Sequence, residues 1–183
     1  MQAFYNNKKF LPNLKNLKYI TLAGEQLPVG LAQGLHTISG AKIYNGYGPS
    51  ETTVFATLTD VTNQTIQMTI GHPLSNTQIY ILDKFKNLCP IGIPGEIYIS
   101  GDDVGLGYVN NFDLTKKSFI INPFTQNAIM YKSGDLGYYT ETGNIICLGR
   151  LDHQIKIRGL RVELEEIESI IKSNKKINNC IVS

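Results

Sequence analysis

The stretch Tyr131–Glu168, YKSGDLGYYTETGNIICLGRLDHQIKIRGLRVELEEIE, constrains this chain more than any other. It sets an acidic turn, a Gly-Arg-x-Asp junction, a basic strand pair and an acid-led helix in succession. Tyr138-Tyr139, the turn Glu141–Asn144 and Ile145–Leu148 read as a hairpin, two apolar runs around a Gly-containing turn. After Leu151, Gln154-Ile155-Lys156-Ile157-Arg158 alternates as a strand and Gly159 lets the chain turn. Leu164, Ile167 and Ile171 then share one helical face over Leu164–Lys172. Glu163, Glu165 and Glu166 sit in the first turn, where the helix dipole favours negative charge. Asn179–Val182 reads as a strand just starting.

Everything upstream reads as the body to which that junction is attached. Leu17–Leu22 is a buried strand closed by Ala23-Gly24-Glu25, and Pro28 opens a helix with Leu31 and Leu35 on one face, ended by Ser39-Gly40. Ala41–Tyr44 is a second strand running into the loop Asn45–Thr53. Strand, helix, strand is an α/β unit, and such sheets take ligands beyond the carboxyl ends of their strands. From Gly71 the texture changes to short strands, Gln78–Leu82 and Glu96–Ser100, with turns at Asp83–Asn87 and Gly92–Gly95. That spacing argues for a small β-barrel or sandwich. The expected class is α/β plus β-rich, in three parts: 1–70, 71–151 and a truncated α+β unit over 152–183.

Composition removes several functions. A formal charge of +2, with 17% charged and 42% hydrophobic residues, describes an ordinary globular chain and gives no argument for nucleic acid or an anionic membrane surface. No apolar run reaches membrane-span length, and the start MQAFYNNKKF lacks a signal-peptide pattern. Cys89, Cys147 and Cys180 are far apart and have no zinc-ligand spacing, so we expect three small buried thiols in a reducing cytosol. His36, His72 and His153 are scattered and read as structural. A core-like strand arrives almost at once, which reads as the start of a fragment.

Three places can carry chemistry. In the loop Asn45–Thr53, glycines let backbone approach a bulky ligand, Tyr47 offers a stacking face, and Glu51 can bind a hard cation through oxygen. Its plain alternative is a tight turn in which Ser50 or Thr52 caps a following helix. Asp135 is a carboxylate beside a glycine at the expected end of a strand, able to accept both hydroxyls of a ribose diol or simply to stabilise a turn. Arg150 can reach a phosphate or form a surface ion pair, and Lys156, Arg158 and Arg161 form a basic face.

In order, NGYGPSE (Asn45–Glu51), GEIYISGDDVGLGY (Gly95–Tyr108), YKSGDL (Tyr131–Leu136) and GRLDHQIKIRGLRVELEEIE (Gly149–Glu168) resemble the successive core motifs of adenylate-forming enzymes. The resemblance is to the amino-acid adenylation domains of non-ribosomal peptide synthetases, and it spans nearly the whole chain. It implies the last α/β part and the distorted β-barrel of a large subdomain, followed by the start of a small one. Implied too are ATP and Mg²⁺, an amino-acid substrate, and a carrier-domain phosphopantetheine thiol that receives the acyl group, all in the cytoplasm.

By motif, Tyr47 would stack on adenine. Asn45, Gly48 and Ser50 would line the nucleotide, Glu51 would hold Mg²⁺, Asp135 the ribose hydroxyls, and Arg150 would lie near ribose and phosphate. Asp152 would be a hinge, and Lys156 would face the site during thioester formation. Thr21, Ala23, Gly46, Val54 and Phe55 would line an amino-acid pocket suited to an uncharged side chain.

Ser50 replaces the usual Thr, and Cys147 stands where many relatives carry Tyr. The family's phosphate loop and ammonium-binding Asp are expected upstream of Met1, and its late lysine beyond Ser183, so the chain alone is not expected to catalyse adenylation. A D-alanine–carrier-protein ligase, an acyl-CoA synthetase and a non-catalytic nucleotide-binding remnant stay open as alternatives. Asn45 and Gln154 favour the peptide-synthetase and D-alanine-ligase branch over CoA ligases.

Overall fold

The computed structural model describes residues 11–152, 154–157, 160–162, 164–174 and 176–182. After a short helix α1 (Leu11–Leu14), strands β1 (Tyr19–Ala23) and β2 (Lys42–Tyr47) pair in parallel, joined by helix α2 (Val29–Ser39). Alternation sends Ile20, Leu22 and Ile43 to one side, where they bury against Leu31, Ala32 and Leu35 of α2. Full burial of one such leucine stabilises by about 2 kcal/mol. Pro28 stands before the first turn in extended backbone. Gly40 ends the helix at φ +69°, donating its N–H to the His36 carbonyl in the left-handed cap that glycine adopts without strain.

The second strand is longer than the sequence suggested. Asn45, Gly46 and Tyr47 belong to β2 and not to a loop: Asn45 and Gly46 are paired on both edges, by β1 and by the antiparallel β3 (Thr57–Asp60), and Tyr47 pairs with Thr57 of β3. The loop begins at Gly48.

A five-stranded antiparallel sheet follows, built from β4 (Thr77–Leu82), β5 (Gly95–Gly101), β6 (Phe119–Ile121), β7 (Ile129–Tyr139) and β8 (Ile145–Arg150). Helix α3 (Phe112–Ser118) leads into β6. The order is β4-β5-β7-β6, and β8 shares the far edge of β7 with β6. Asp135 therefore sits inside a long strand, not at a strand end. What makes the position special is irregularity: Gly134 has φ +74°, and the register with β8 shifts between Leu136 and Gly137. Bulges of this kind re-aim side chains.

Ile79, Ile81, Ile97, Ile99 and Ile145 form the core of this sheet, and Ala56 and Ile70 from the first part join it. Backbone bonds between Ile145 and both Ile70 and Gly71 fix the junction, at 2.9 and 2.8 Å. The carboxyl end of β2 is thereby set against β7 and β8.

Beyond Leu151, β9 (Ile155–Ile157) and β10 (Leu160–Val162) make an antiparallel pair and α4 (Leu164–Lys172) follows, with Leu164 buried. Asn179–Val182 forms no strand: the Val182 N–H donates to Glu168 Oε1 at 3.0 Å, a side-chain partner in place of a ladder. The three cysteines are free, but each is half-buried rather than fully buried. No helix among the described residues is long and apolar enough to cross a membrane. The expectations for His153, Arg158, Gly159 and Glu163 lie outside the described residues.

Candidate active site: a cleft between two sheets

A cleft of about 540 Å³ opens where the β2 end meets β7 and β8. Its walls are the chain after β1 (Gly24–Leu27), the run Asn45–Ser50, Met68 and Ile70, and on the far side Asp135, Cys147, Gly149, Arg150 and Gln154. Asn45, Gly46, Tyr47, Gly48, Ser50, Asp135 and Arg150, singled out from sequence, thus meet in one place.

Tyr47 and Asp135, far apart in the chain, touch: the Tyr47 hydroxyl donates to Asp135 Oδ2 at 2.6 Å. Burial and the neighbouring carboxylate push the Tyr47 phenol well above its usual range, so it stays a donor. The Asp135 N–H donates to Ser133 Oγ at 3.0 Å, and that hydroxyl donates to the Ile97 carbonyl at 2.7 Å, tying the bulge to β5. Arg150 Nη1 donates to the Ser133 carbonyl and, at 3.4 Å, to Asp135 Oδ1. Its Nε donates to Asp152 Oδ1 at 2.8 Å and its Nη2 to Asp152 Oδ2, the two-pronged geometry that suits guanidinium and carboxylate. A Cβ on Gly134 would lie 2.6 Å from Arg150 Nη2, and at φ +74° glycine holds this backbone without strain, so glycine suits the point where the guanidinium crosses the bulge.

The loop after β2 is equally tight. A Cβ on Gly48 would lie 2.6 Å from the Val54 carbonyl oxygen and 2.7 Å from the Ala56 nitrogen. Thr53 and Val54 hold left-handed backbone, φ 54° and 78°, a strained conformation for β-branched residues. The capping alternative fails for Ser50, which opens a short 3₁₀ turn (Ser50–Thr52) preceded by Pro49 with no side-chain cap. Thr52 is buried and donates back to the Pro49 carbonyl. Asn45 lines the cleft, but its amide also donates to the Thr69 carbonyl at 2.8 Å, which fixes β2 to its neighbour.

Glu51 lies just behind the cleft wall. Its Oε1 accepts from the Tyr108 hydroxyl at 2.6 Å, and its carbonyl accepts the Gly105 N–H at 2.8 Å. Burial, then Glu51, raises the Tyr108 phenol.

The remaining predicted residues stand apart. Thr21 and Ala23 are exposed on the face of β1 turned away from α2. Ala23 pairs with Gly46, and the Phe55 ring lies against Gly46, where a Cβ would be 2.5 Å from it. Val54 is 63% exposed. Asp152 is exposed and held by Arg150. Of Lys156 only the backbone is described, paired with Arg161. Sequence reasoning gave no site role to Tyr108, Ser133 or Gln154. Tyr108 lies inside the quoted GDDVGLGY block, a signal that could have pointed to it.

A family model described as AMP-binding enzyme matches residues 1–109. Gramicidin S synthase 2 of Aneurinibacillus migulanus is 44% identical over 187 residues, covering 100% of this chain and 4% of that protein. An artificially fused adenylation-PCP di-domain synthetase from Klebsiella oxytoca superposes with TM-score 0.82 at 25% identity, covering 97% of this chain and 34% of that one. The Vibrio cholerae adenylation domain AlmE, solved with glycyl-adenosine-5'-phosphate, gives TM-score 0.81 at 29% identity, covering 90% and 32%. The chain spans 2 to 5% of the length of the curated relatives it matches.

Proposed function

The chain belongs to the AMP-binding enzyme family, and from that membership we propose that it is part of a ligase that activates an amino acid with ATP. The product is an aminoacyl-adenylate, whose acyl group passes to the phosphopantetheine thiol of a carrier domain in peptide synthesis without a ribosome. The observation that most supports this reading is the convergence of Tyr47, Asp135 and Arg150 on one cleft through direct hydrogen bonds. The relatives' names agree with it, since they are peptide synthetases and adenylation domains, one of them fused to a PCP.

In this reading the chain's own residues bind and orient. Each Asp135 oxygen accepts from a protein donor, Oδ2 from Tyr47 and Oδ1 from Arg150. A carboxylate has about four lone-pair sites, so the same oxygens can also meet a ribose diol. Tyr47 offers its ring face to the base, while Gly48 and Ser50 bring backbone and a hydroxyl towards the phosphate. Arg150 supplies positive charge near the reacting phosphate, where adenylyl transfer needs positioning and charge neutralisation above all.

Ser50 and Glu51 present only oxygen, the donor type Mg²⁺ takes, and a single protein carboxylate with substrate phosphates is an ordinary site for it. We assign Mg²⁺ to Glu51, where it would neutralise phosphate charge. Asp152 serves as the hinge to the small C-terminal unit, Lys156 as the group presented for thioester formation, and 1–70, 71–151 and 152–183 as the three parts. Thr21, Ala23, Gly46, Val54 and Phe55 line the amino-acid side. The three free cysteines suit a reducing cytoplasm.

Titration of the chain with a non-hydrolysable aminoacyl-adenylate analogue tests the reading. Binding should weaken more than about tenfold in Asp135→Ala and in Tyr47→Ala, each losing a buried polar contact. Wild-type binding unaffected by either change would contradict it.

A further inference from the structure

The loop that carries Ser50 and Glu51 contains strained backbone, and a second segment of the chain braces it. Thr53 and Val54 stand at φ 54° and 78°, in the left-handed region that β-branched residues avoid. Such conformations persist only where the surroundings over-determine them. Here the surroundings are the run Asp103–Tyr108 after β5, which binds the loop at three points. The Thr53 hydroxyl donates to the Asp103 carbonyl at 2.9 Å. The Gly105 N–H donates to the Glu51 carbonyl at 2.8 Å, and a Cβ on Gly105 would lie 3.2 Å from that same oxygen. The Tyr108 hydroxyl donates to Glu51 Oε1 at 2.6 Å, the same length as the bond from Tyr47 to Asp135.

Tyr108 is itself fixed from two sides. Its N–H donates to Thr115 Oγ1 of α3 at 2.9 Å, and that hydroxyl donates to the Asn111 carbonyl at 2.8 Å. Its ring meets Phe119 edge-on at 5.5 Å, and Phe119 leans on Tyr131 at 5.1 Å. Tyr131 is buried in β7, the strand that also carries Asp135. A hydrogen bond to a carboxylate is stronger than one between neutral groups, so the tie from Tyr108 is the firmest of the three. It runs from the second sheet to the loop.

We propose that Tyr108 is a positioning residue of the cleft: through Glu51 it holds the loop Gly48–Val54 in the strained form that aims Ser50 at a nucleotide's phosphate. The inference rests on the nucleotide reading above and deepens it. Tyr47 braces the carboxylate on the ribose side, and Tyr108 braces the one on the phosphate side. Tyr108 stands outside the cleft lining, so it acts only through the loop. Its effect therefore falls on the phosphate, not on the base and ribose that Tyr47 and Asp135 meet.

The test is calorimetric titration of the 183-residue chain with AMP and, separately, with adenosine, which lacks only the phosphate. In the wild type AMP binds about tenfold more tightly than adenosine, the effect of a charge-assisted contact. Tyr108→Phe keeps the ring and removes the hydroxyl, and the AMP-to-adenosine affinity ratio falls about fivefold. Thr53→Val removes the bond to Asp103 at an exposed position and lowers the same ratio about twofold, which tests the proposal even if the Phe variant fails to fold. In a Glu51→Ala background Tyr108→Phe causes no further fall, because the hydroxyl acts through that carboxylate. A role in packing alone would weaken both ligands alike and would recur in that background. A ratio unchanged or raised in Tyr108→Phe, unchanged in Thr53→Val, or falling again in the Glu51→Ala background overturns the inference alone. Equal binding of AMP and adenosine by the wild type overturns the loop's phosphate role and the inference with it. Binding of neither overturns the nucleotide reading as well.

Discussion

Two neighbouring residues of β2 serve two unlike regions. Tyr47 faces the cleft, where its hydroxyl is bound by Asp135 and the surrounding polar groups are tied to strands far away in sequence. Gly46 lines the cleft too, but a side chain there would meet the Phe55 ring, beside the outer face of β1, where Thr21 and Ala23 are exposed and Val54 projects outward. One region is pre-organised, its donors and acceptors already aimed; the other is an open face of small side chains. Pre-organised charge suits a nucleotide, whose polar groups are the same for every substrate. An open face of small residues suits a variable side chain, since swapping such residues disturbs little around them.

The largest effect that separates the two regions is steric. Gly48→Ala places a methyl against backbone atoms that cannot yield, and should cost about 3 kcal/mol in denaturant unfolding. Gly46→Ala meets only the half-buried Phe55 ring, which can turn aside, and should cost about 1 kcal/mol. Equal costs would erase the distinction between a fixed and a yielding side.

Next in size is Asp135→Asn. It removes the charge facing Arg150 and should weaken AMP binding by more than about tenfold. The same change should lower the Tyr47 phenol pKa towards its ordinary value, read by ultraviolet titration, because the carboxylate is one of the causes that raise it.

The tyrosines give a pH signature of moderate size. Burial raises Tyr47, Tyr108 and Tyr139 above the ordinary value of 10.0, so the folded chain holds these protons more tightly than the unfolded one. Their contribution is complete below about pH 10 and is lost as pH rises beyond it. Tyr47→Phe should flatten that alkaline decline in thermal melts, and an unchanged slope would show that the cleft tyrosine is not held as described.

Smaller still is protection of Cys147, a half-buried thiol in the cleft wall. AMP should slow its alkylation severalfold while leaving Cys180 unaffected, as mass spectrometry of labelled peptides would show. Smallest of all is Ala23→Ser on the outer face, which should leave stability within about 0.5 kcal/mol and AMP affinity unchanged. A loss of AMP affinity there would merge the two regions.

Local patterns made much of this legible. The apolar run of β1, the cap at Gly40, the hairpin from Tyr139 to Ile145 and the helix Leu164–Lys172 are written in short-range periodicity and turn chemistry. The strand β3 was not, since Thr-Leu-Thr-Asp is brief and becomes a strand only by pairing with β2. Asp135 was expected at a strand end because Gly134 looks like a terminator; non-local pairing on both edges of β7 carries the strand through it. The candidate residues were legible as motifs, but their contacts were not. The bond from Tyr108 to Glu51 and the burial of Gln154 arise from tertiary packing, which leaves no periodic trace in the chain.

The most direct measurement is a crystal structure of the chain grown with AMP. The account predicts the ribose hydroxyls on Asp135, the base over the Tyr47 ring and the phosphate on the side of Ser50 and Arg150, all within the cleft. AMP seated elsewhere, for example in the shallow hollow lined by Asp60, Asn63, Gln64, Thr65 and Ile66, would contradict it.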